Sequence, residues 1–388
     1  LRTRLRSRLR VAPWLTLGAE FQDSRSYAED SNAPITSSVV NTFELLQAYV
    51  ELRGEAPFGG TQTLRAGRIT MDVGSRRFVA RNRFRNTANA FTGVDWRWMG
   101  EQGRELRLFY TLPVRRRPAD PPRLRDNRAE FDKESFNTQY WGAFGRTALS
   151  DRDAFELYAF ALNEDDGPGR ITRDRDLYTF GFRFLRAPAD GAFDAHLESV
   201  LQFGNSRLRA PGEDLDHLAH FHHLEVGYRF DRPWKPRLVL QFDYASGDRD
   251  AGDGRNQRFD TLYGARRFDF GPTSIYGPFA RSNLVTPGLR VQVKPSKAVS
   301  AFASLRGFWL ASDEDAWTAA RVVDPTGDSG RYLGTQIEFR LRWDLLPGNV
   351  RFETGYAHLF AGSFVDGAPN SNRQGDSDYV YAQLSFAF

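Results

Sequence analysis

Five arginines, Arg2, Arg4, Arg6, Arg8 and Arg10, alternate with Leu1, Thr3, Leu5, Ser7, Leu9 and Val11 at the start of the chain. A period of two is that of an extended strand, whose successive side chains point to opposite faces. All five guanidiniums therefore share one face, spaced about 6.6 Å apart along it. A guanidinium is a rigid fork of donors that fits a carboxylate. A row of them at this spacing can pass a polyanion between weak sites without trapping it at one. The plainer role is structural: the same arginines pair with carboxylates on neighbouring strands, such as Glu20, Glu51 and Glu353, and hold a wall. Five guanidiniums cannot face lipid, where a midplane Arg costs roughly 2–4 kcal/mol, so the face that carries them must be wet.

The rest of the chain supplies the strands such a row requires. Tyr178, Phe180, Phe182 and Phe184 oppose Thr179, Gly181 and Arg183; Ile337, Phe339, Leu341 and Trp343 oppose Glu338, Arg340 and Arg342. The polar face mixes Arg, Glu, Asp, Gln and Gly, the lining of a wet lumen rather than the Lys- and Thr-rich face of a soluble sandwich. Mean hydropathy is −0.54, and no run approaches the roughly 20 apolar residues of a membrane helix. Yet 14% of the residues are aromatic, and the apolar residues are spread in alternation, as in a strand that meets lipid on one side and water on the other. Trp14, Trp96, Trp98, Trp141, Trp234, Trp309 and Trp343 fall near strand ends, where amphipathic rings sit at a lipid interface. The chain has no cysteine, which suits passage through an oxidising periplasm.

Short connections (Pro13-Trp14, 101–103, 150–152, 189–191, 295–297, 347–349) alternate with long ones (25–39, 73–86, 115–135, 165–175, 205–217, 248–280, 312–330, 365–377). This is the rhythm of a barrel with short periplasmic turns and long outer loops. The pattern predicts an all-β fold, a transmembrane antiparallel up-and-down barrel forming one domain over 1–388. It places strands near 1–11, 15–24, 40–53, 61–72, 87–99, 104–114, 136–147, 154–163, 176–187, 192–204, 218–230, 236–247, 282–294, 298–311, 332–346, 349–362 and 378–388. That is seventeen, and even parity with both ends periplasmic calls for an eighteenth before Leu1. A sixteen-strand barrel is the rival count.

One stretch is more specific. Phe242–Gly271 reads FDYASGDRDAGDGRNQRFDTLYGARRFDFG and is followed by Ala280-Arg281-Ser282-Asn283-Leu284. It resembles the alginate export family of outer-membrane proteins, through Ser246-Gly247-Asp248, Phe259-Asp260-Thr261-Leu262-Tyr263 and Asn283-Leu284. LRTRLRSRL at the start, LLQAYVEL (45–52), LRAGRITMDVGSRRFV (64–79) and the closing strand with its terminal Phe388 resemble the family too. The resemblance implies an eighteen-stranded bacterial outer-membrane pore that carries an anionic polyuronate outward through an electropositive lumen. It also implies contact with outer-membrane lipid and lipopolysaccharide, insertion by the barrel-assembly machinery, and periplasmic export proteins as partners. A general or anion-preferring porin for small solutes is the alternative.

Beyond the first strand, the residues expected to line the pore or bind substrate are Arg65, Arg68, Arg76, Arg77, Arg107, Arg183, Arg290, Arg340 and Arg342, with the acids Glu20, Glu198, Asp243 and Glu338. Arg68, Arg76 and Arg77 belong to a stretch that either folds into the lumen and narrows it or forms an exposed basic loop. His217, His220, His222 and His223 cluster, but alternation sets His222 and His223 on opposite faces, so no metal site is expected. The acidic loop DRDAGDG (248–254) lacks the spacing and closing Glu of an EF-hand. No cofactor is expected, beyond incidental Ca²⁺ on an extracellular loop. No Ser–His pair stands in a nucleophile motif, so an enzyme is not expected. The basic residues are dispersed in stripes rather than gathered on a patch, which disfavours nucleic acid.

Overall fold

Each alternating stretch is a strand in the computed structural model, which describes all residues except 31, 32 and 374. The strands are β1 (Arg2–Ala12), β2 (Leu15–Ser24), β3 (Asn41–Glu55), β4 (Thr61–Ile69), β5 (Phe91–Met99), β6 (Glu105–Pro113), β7 (Thr138–Ala148), β8 (Asp153–Glu164) and β9 (Arg175–Arg186). They continue as β10 (Ala192–Ser206), β11 (Leu215–Arg229), β12 (Arg237–Ala245), β13 (Arg255–Asn256), β14 (Leu284–Val293), β15 (Val299–Trp309), β16 (Tyr332–Leu346), β17 (Val350–Ala361) and β18 (Ser377–Phe386). All eighteen belong to one sheet.

Every long strand pairs antiparallel with the next, from β1–β2 through to β17–β18. The exception is the two-residue β13, which lies parallel to β11 while β12 pairs past it with β14. The sheet thus consists of seventeen long strands and one short member within the β12–β14 loop. Among the described residues β1 and β18 form no ladder with each other. Three short helices, α1 (Pro121–Arg125), α2 (Arg267–Phe270) and α3 (Ser363–Gly367), all lie in long loops.

Alternation decides which side chains face out. In β9, Tyr178, Phe180 and Phe182 are exposed while Leu177, Thr179 and Gly181 are buried. In β12, Leu238, Leu240 and Phe242 are exposed while Val239, Gln241 and Asp243 are buried. An apolar surface this extensive, repeated around the sheet, is what a lipid-facing barrel presents.

The main hydrophobic core lies inside the barrel. Phe109, Tyr140, Phe144, Tyr158, Phe160 and Phe221 on the inner wall pack against Met71, Val73, Phe78, Val79, Phe259, Phe270 and Phe279 from two loops. These loops, 70–90 and 246–283, fold inward, which also explains one boundary. The alternation suggests strands at 61–72 and 87–99, yet β4 stops at Ile69 and β5 begins at Phe91. The loop leaves the wall at Thr70, whose amide donates to Gln47 Oε1 at 3.1 Å, and buries Met71 and Val73 in the lumen.

Candidate functional site

The inner face of β1 carries the arginine row, and its neighbours determine what each guanidinium does. Arg6 Nη2 lies 3.0 Å from Glu20 on β2, and Arg8 Nη2 lies 3.2 Å from Glu51 on β3. Arg4 donates to Gln22 Oε1 at 3.1 Å and stands 3.9 Å from Glu20. Arg2 donates instead to the carbonyls of Arg83 and Arg85, at 3.1 and 2.6 Å, and so ties β1 to the inward loop. Arg10 has no partner among the described residues. The same two buried carboxylates also hold Arg81 (to Glu20) and Arg65 (to Glu51, 2.7 Å). Arg4, Arg6, Arg8, Arg65 and Arg81 therefore share two negative charges, and the patch stays positive. Glu353, the third expected partner, is taken by Arg342 at 2.7 Å.

The Arg6 and Arg8 side chains are 56% and 52% exposed, so their ion pairs are screened and each contributes little. They border a cavity of about 380 Å³ whose wall also carries Arg65, Arg81 and Arg107 against Asp72 and Asp95. Arg107 grips Asp95 with two bonds of 2.6 and 2.9 Å and donates to the Asp72 carbonyl at 2.8 Å.

The two inward loops meet in the lumen and lock together. Their backbones run side by side: Tyr263 N donates to the Phe78 carbonyl (3.0 Å), Ala80 N to Tyr263 (3.1 Å) and Ala265 N to Arg76 (2.9 Å). The approach demands glycine at 264, where a Cβ would stand 1.7 Å from the Arg77 carbonyl oxygen. Arg77, only 2% exposed, closes the lock. It makes two bonds to Asp269, of 3.0 and 2.8 Å, and one of 2.6 Å to Glu198 on the wall strand β10. Arg281 reaches Asp269 from the other side. Arg306 on β15 donates to the Asp269 carbonyl at 2.6 Å and to Asp243 at 2.5 Å. Burial alone would raise the Asp269 carboxyl, but Arg77 and Arg281 outweigh it and hold the group well below the usual carboxylate range. Burial likewise works against the charge on Arg77, and Asp269 and Glu198 overcome it, so this guanidinium is held above its ordinary value.

The remaining expected residues fall in several places. Arg183 bonds His196 (2.7 Å) and Glu156 (2.9 Å) on the inner wall. Asp243 is shared between Arg306 and His223, the latter at 2.7 Å. Glu338 holds Arg267 of the plug at 2.6 Å. Arg290 and Arg340 both lie against the Phe302 ring, at 5.0 and 4.5 Å. Arg76 is exposed at the loop tip, over Phe268. Arg68 is elsewhere: it shares the face of Leu64 and Ala66, opposite Arg65, and binds Glu44 (2.5 Å) and Glu134 (2.7 Å) at the outer end of the wall. Of the histidines, His217 and His223 are buried inside while His222 is exposed outside, and no metal-ligand cluster occurs among the described residues. In the 248–254 loop, Asp248, Asp250 and Asp253 each accept a backbone N–H of their own loop.

Sequence reasoning missed Arg81, Asp260, Asp269 and Arg281 as plug residues. The signal lay in the motif stretch itself. Asp260 accepts from Arg173 and Arg175 (2.5 and 3.1 Å) and from the Leu262 amide, pinning Phe259–Tyr263 inside. Ser246 and Asn283 close the loop's base: Asn283 N donates to the Ser246 carbonyl (3.1 Å), and its side chain bonds Ser312 and Ala316. A Cβ on Gly247 would lie 1.9 Å from Asn283 Oδ1. The motif residues are thus the staples of the inward loop.

Solved structures share this architecture. OpdK of Pseudomonas aeruginosa, solved with vanillate, is 11% identical with a TM-score of 0.62, over 99% of this chain and 91% of that one. OpdQ of Pseudomonas aeruginosa is 13% identical (TM-score 0.56; 99% and 91% covered). OccAB2 of Acinetobacter baumannii is 12% identical (TM-score 0.56; 95% and 87% covered). No curated protein sequence matches the chain. The alginate export family model matches residues 2–376, nearly the whole length. With its lipid-facing barrel, inward loops and arginine-rich wall, this bacterial outer-membrane protein belongs to the alginate export family.

Proposed function

We propose that this chain is a passive outer-membrane pore that exports an anionic exopolysaccharide, an alginate-like polyuronate. The observation that carries this reading is the β1 row, where Arg4, Arg6 and Arg8, with Arg65 and Arg81, have Glu20 and Glu51 as their only ion-pair partners among the described residues, beside an open cavity. An excess of half-exposed guanidiniums attracts carboxylates, and shared, screened partners let them go. The interlocked loops above this wall set the width of the path. The pore sits among outer-membrane lipid and lipopolysaccharide, is inserted by the barrel-assembly machinery, and receives polymer from periplasmic export proteins.

Single-channel recording in planar bilayers tests the reading. The pore should prefer anions and be blocked by added polyuronate; a cation-selective, unblocked pore would sink the proposal. The second reading is an anion-preferring porin for small-solute uptake. It is favoured by the likeness to OpdK, whose structure holds vanillate, a small carboxylate. Rapid vanillate permeation with no block by polyuronate would select it.

A further inference from the structure

The geometry points to a second polyanion site at the periplasmic mouth, between the turns 231–236 and 294–298, which receives uronate residues before the arginine wall does. The inference rests on the export reading and extends it to where the polymer is first held. The short turns mark this end of the barrel as periplasmic, and here a cavity of about 740 Å³ opens between β12, β14, β15 and β16. That volume lies within the 300–1,000 Å³ typical of pockets for small organic ligands.

The charge around the cavity is one-sided. Arg232, Lys294, Lys297 and Arg340 line it and form no ion pair among the described residues. Asp190, the only acid in the lining, is already taken by Lys235. Arg340 packs its guanidinium on the Phe302 ring, and its buried Nε lacks any partner. Four cations without an ion pair around one concave space make it electropositive and attract an anion.

The kind of cation narrows the ligand further. The chain has only four lysines, and Lys235, Lys294 and Lys297 all stand here, whereas the wall above uses arginine. An ammonium is a hydrated point charge on a flexible stem; it attracts a carboxylate without the rigid two-bond grip of arginine. That suits a site that gathers polymer and must release it onward. Trp234 adds an apolar surface. It is 61% exposed at a turn held by a 2.7 Å bond from Lys294 N to the Trp234 carbonyl, with a backbone φ of 69° that only the surrounding structure sustains. Lysines beside an exposed ring match the carboxylate and the apolar C–H face of a uronate sugar. Arg340 and Phe302 share the inward faces of their strands, opposite Phe339, Leu341 and Leu305, while Val293 and Ala301 bring the outward face to the lining, so the cavity sits across the rim of the channel wall.

The test uses the purified pore in planar bilayers with a triuronate added to one side at a time. The chain lacks cysteine, so Gln102→Cys in a short turn, labelled with a bulky thiol reagent, marks the periplasmic side. Combined Arg232→Gln, Lys294→Gln and Lys297→Gln should lower the blocking on-rate from that side about tenfold and leave block from the other side unchanged. Trp234→Ala should shorten each block, and the control Lys133→Gln should alter neither. Heat-modifiable gel mobility reports whether each variant is folded. Equal loss from both sides, or no loss in a folded triple variant that polyuronate still blocks, overturns the mouth site alone. An effect confined to anionic-lipid bilayers also overturns it, in favour of lipid contact. A wild-type pore blocked from neither side overturns the export reading and this site with it.

Discussion

Arg77 and Asp269, 192 residues apart in sequence, face each other inside the barrel through two hydrogen bonds of 3.0 and 2.8 Å. One residue belongs to the loop after β4 and the other to the loop after β12, so this pair joins the two halves of the plug. Both side chains are buried, and each has a further charged partner in Glu198 or Arg281. Removing one member strands the others without water, a loss of about 3–5 kcal/mol for a buried pair. Arg77→Ala and Asp269→Asn should therefore undock the plug, raise single-channel conductance and expose 73–86 to protease. A variant with wild-type conductance and protection would mean that the apolar packing of Phe78, Phe259 and Phe279 suffices to hold the loops.

The lock should also resist acid. Asp269 is depressed in the folded protein, so its contribution is full above the unfolded carboxyl value of about 3.9 and is lost only as pH falls through the lower folded value. Conductance should stay constant from pH 7 to about 4.5, and the Asp269→Asn variant, already undocked at pH 7, should show no further acid-dependent opening from this site. Opening of the wild-type pore near pH 6 would place control in some other group.

The β1 row makes a prediction of opposite signs. Arg4, Arg6 and Arg8 replaced together by Gln should weaken anion preference, read as a shift of reversal potential in a salt gradient. Glu51→Gln frees Arg8 and Arg65 and should strengthen it. Unchanged reversal potentials in both variants would show that these residues only stiffen the wall.

The strands and their faces were legible in the sequence because a period of two is local: Phe180 and Phe182 face out and Thr179 and Gly181 face in wherever the strand sits. The same parity sets the Arg68 backbone with Leu64 and Ala66, although its guanidinium reaches the buried Glu44 at the strand end. Loop positions carry no such period. Nothing about Asp269 in isolation says that it will meet Arg77, because that contact depends on two loops entering one space. The family-like stretch marked the place without revealing the partner, and Gly264, which allows the backbones to touch, was the one local trace of it.

The interlocked plug also constrains the order in which the molecule can be built. The 70–90 loop gains its hydrogen bonds to Tyr263 and Ala265 only after eight more long strands, β5 to β12, have been laid down. Until then Met71, Val73 and Phe78 lack the packing partners that the 246–283 loop supplies, Phe259, Phe270 and Phe279 among them. Contacts so distant in sequence form late and slowly. The barrel wall must therefore curve before its interior is filled, and the narrow passage is a product of completed assembly rather than a step along it.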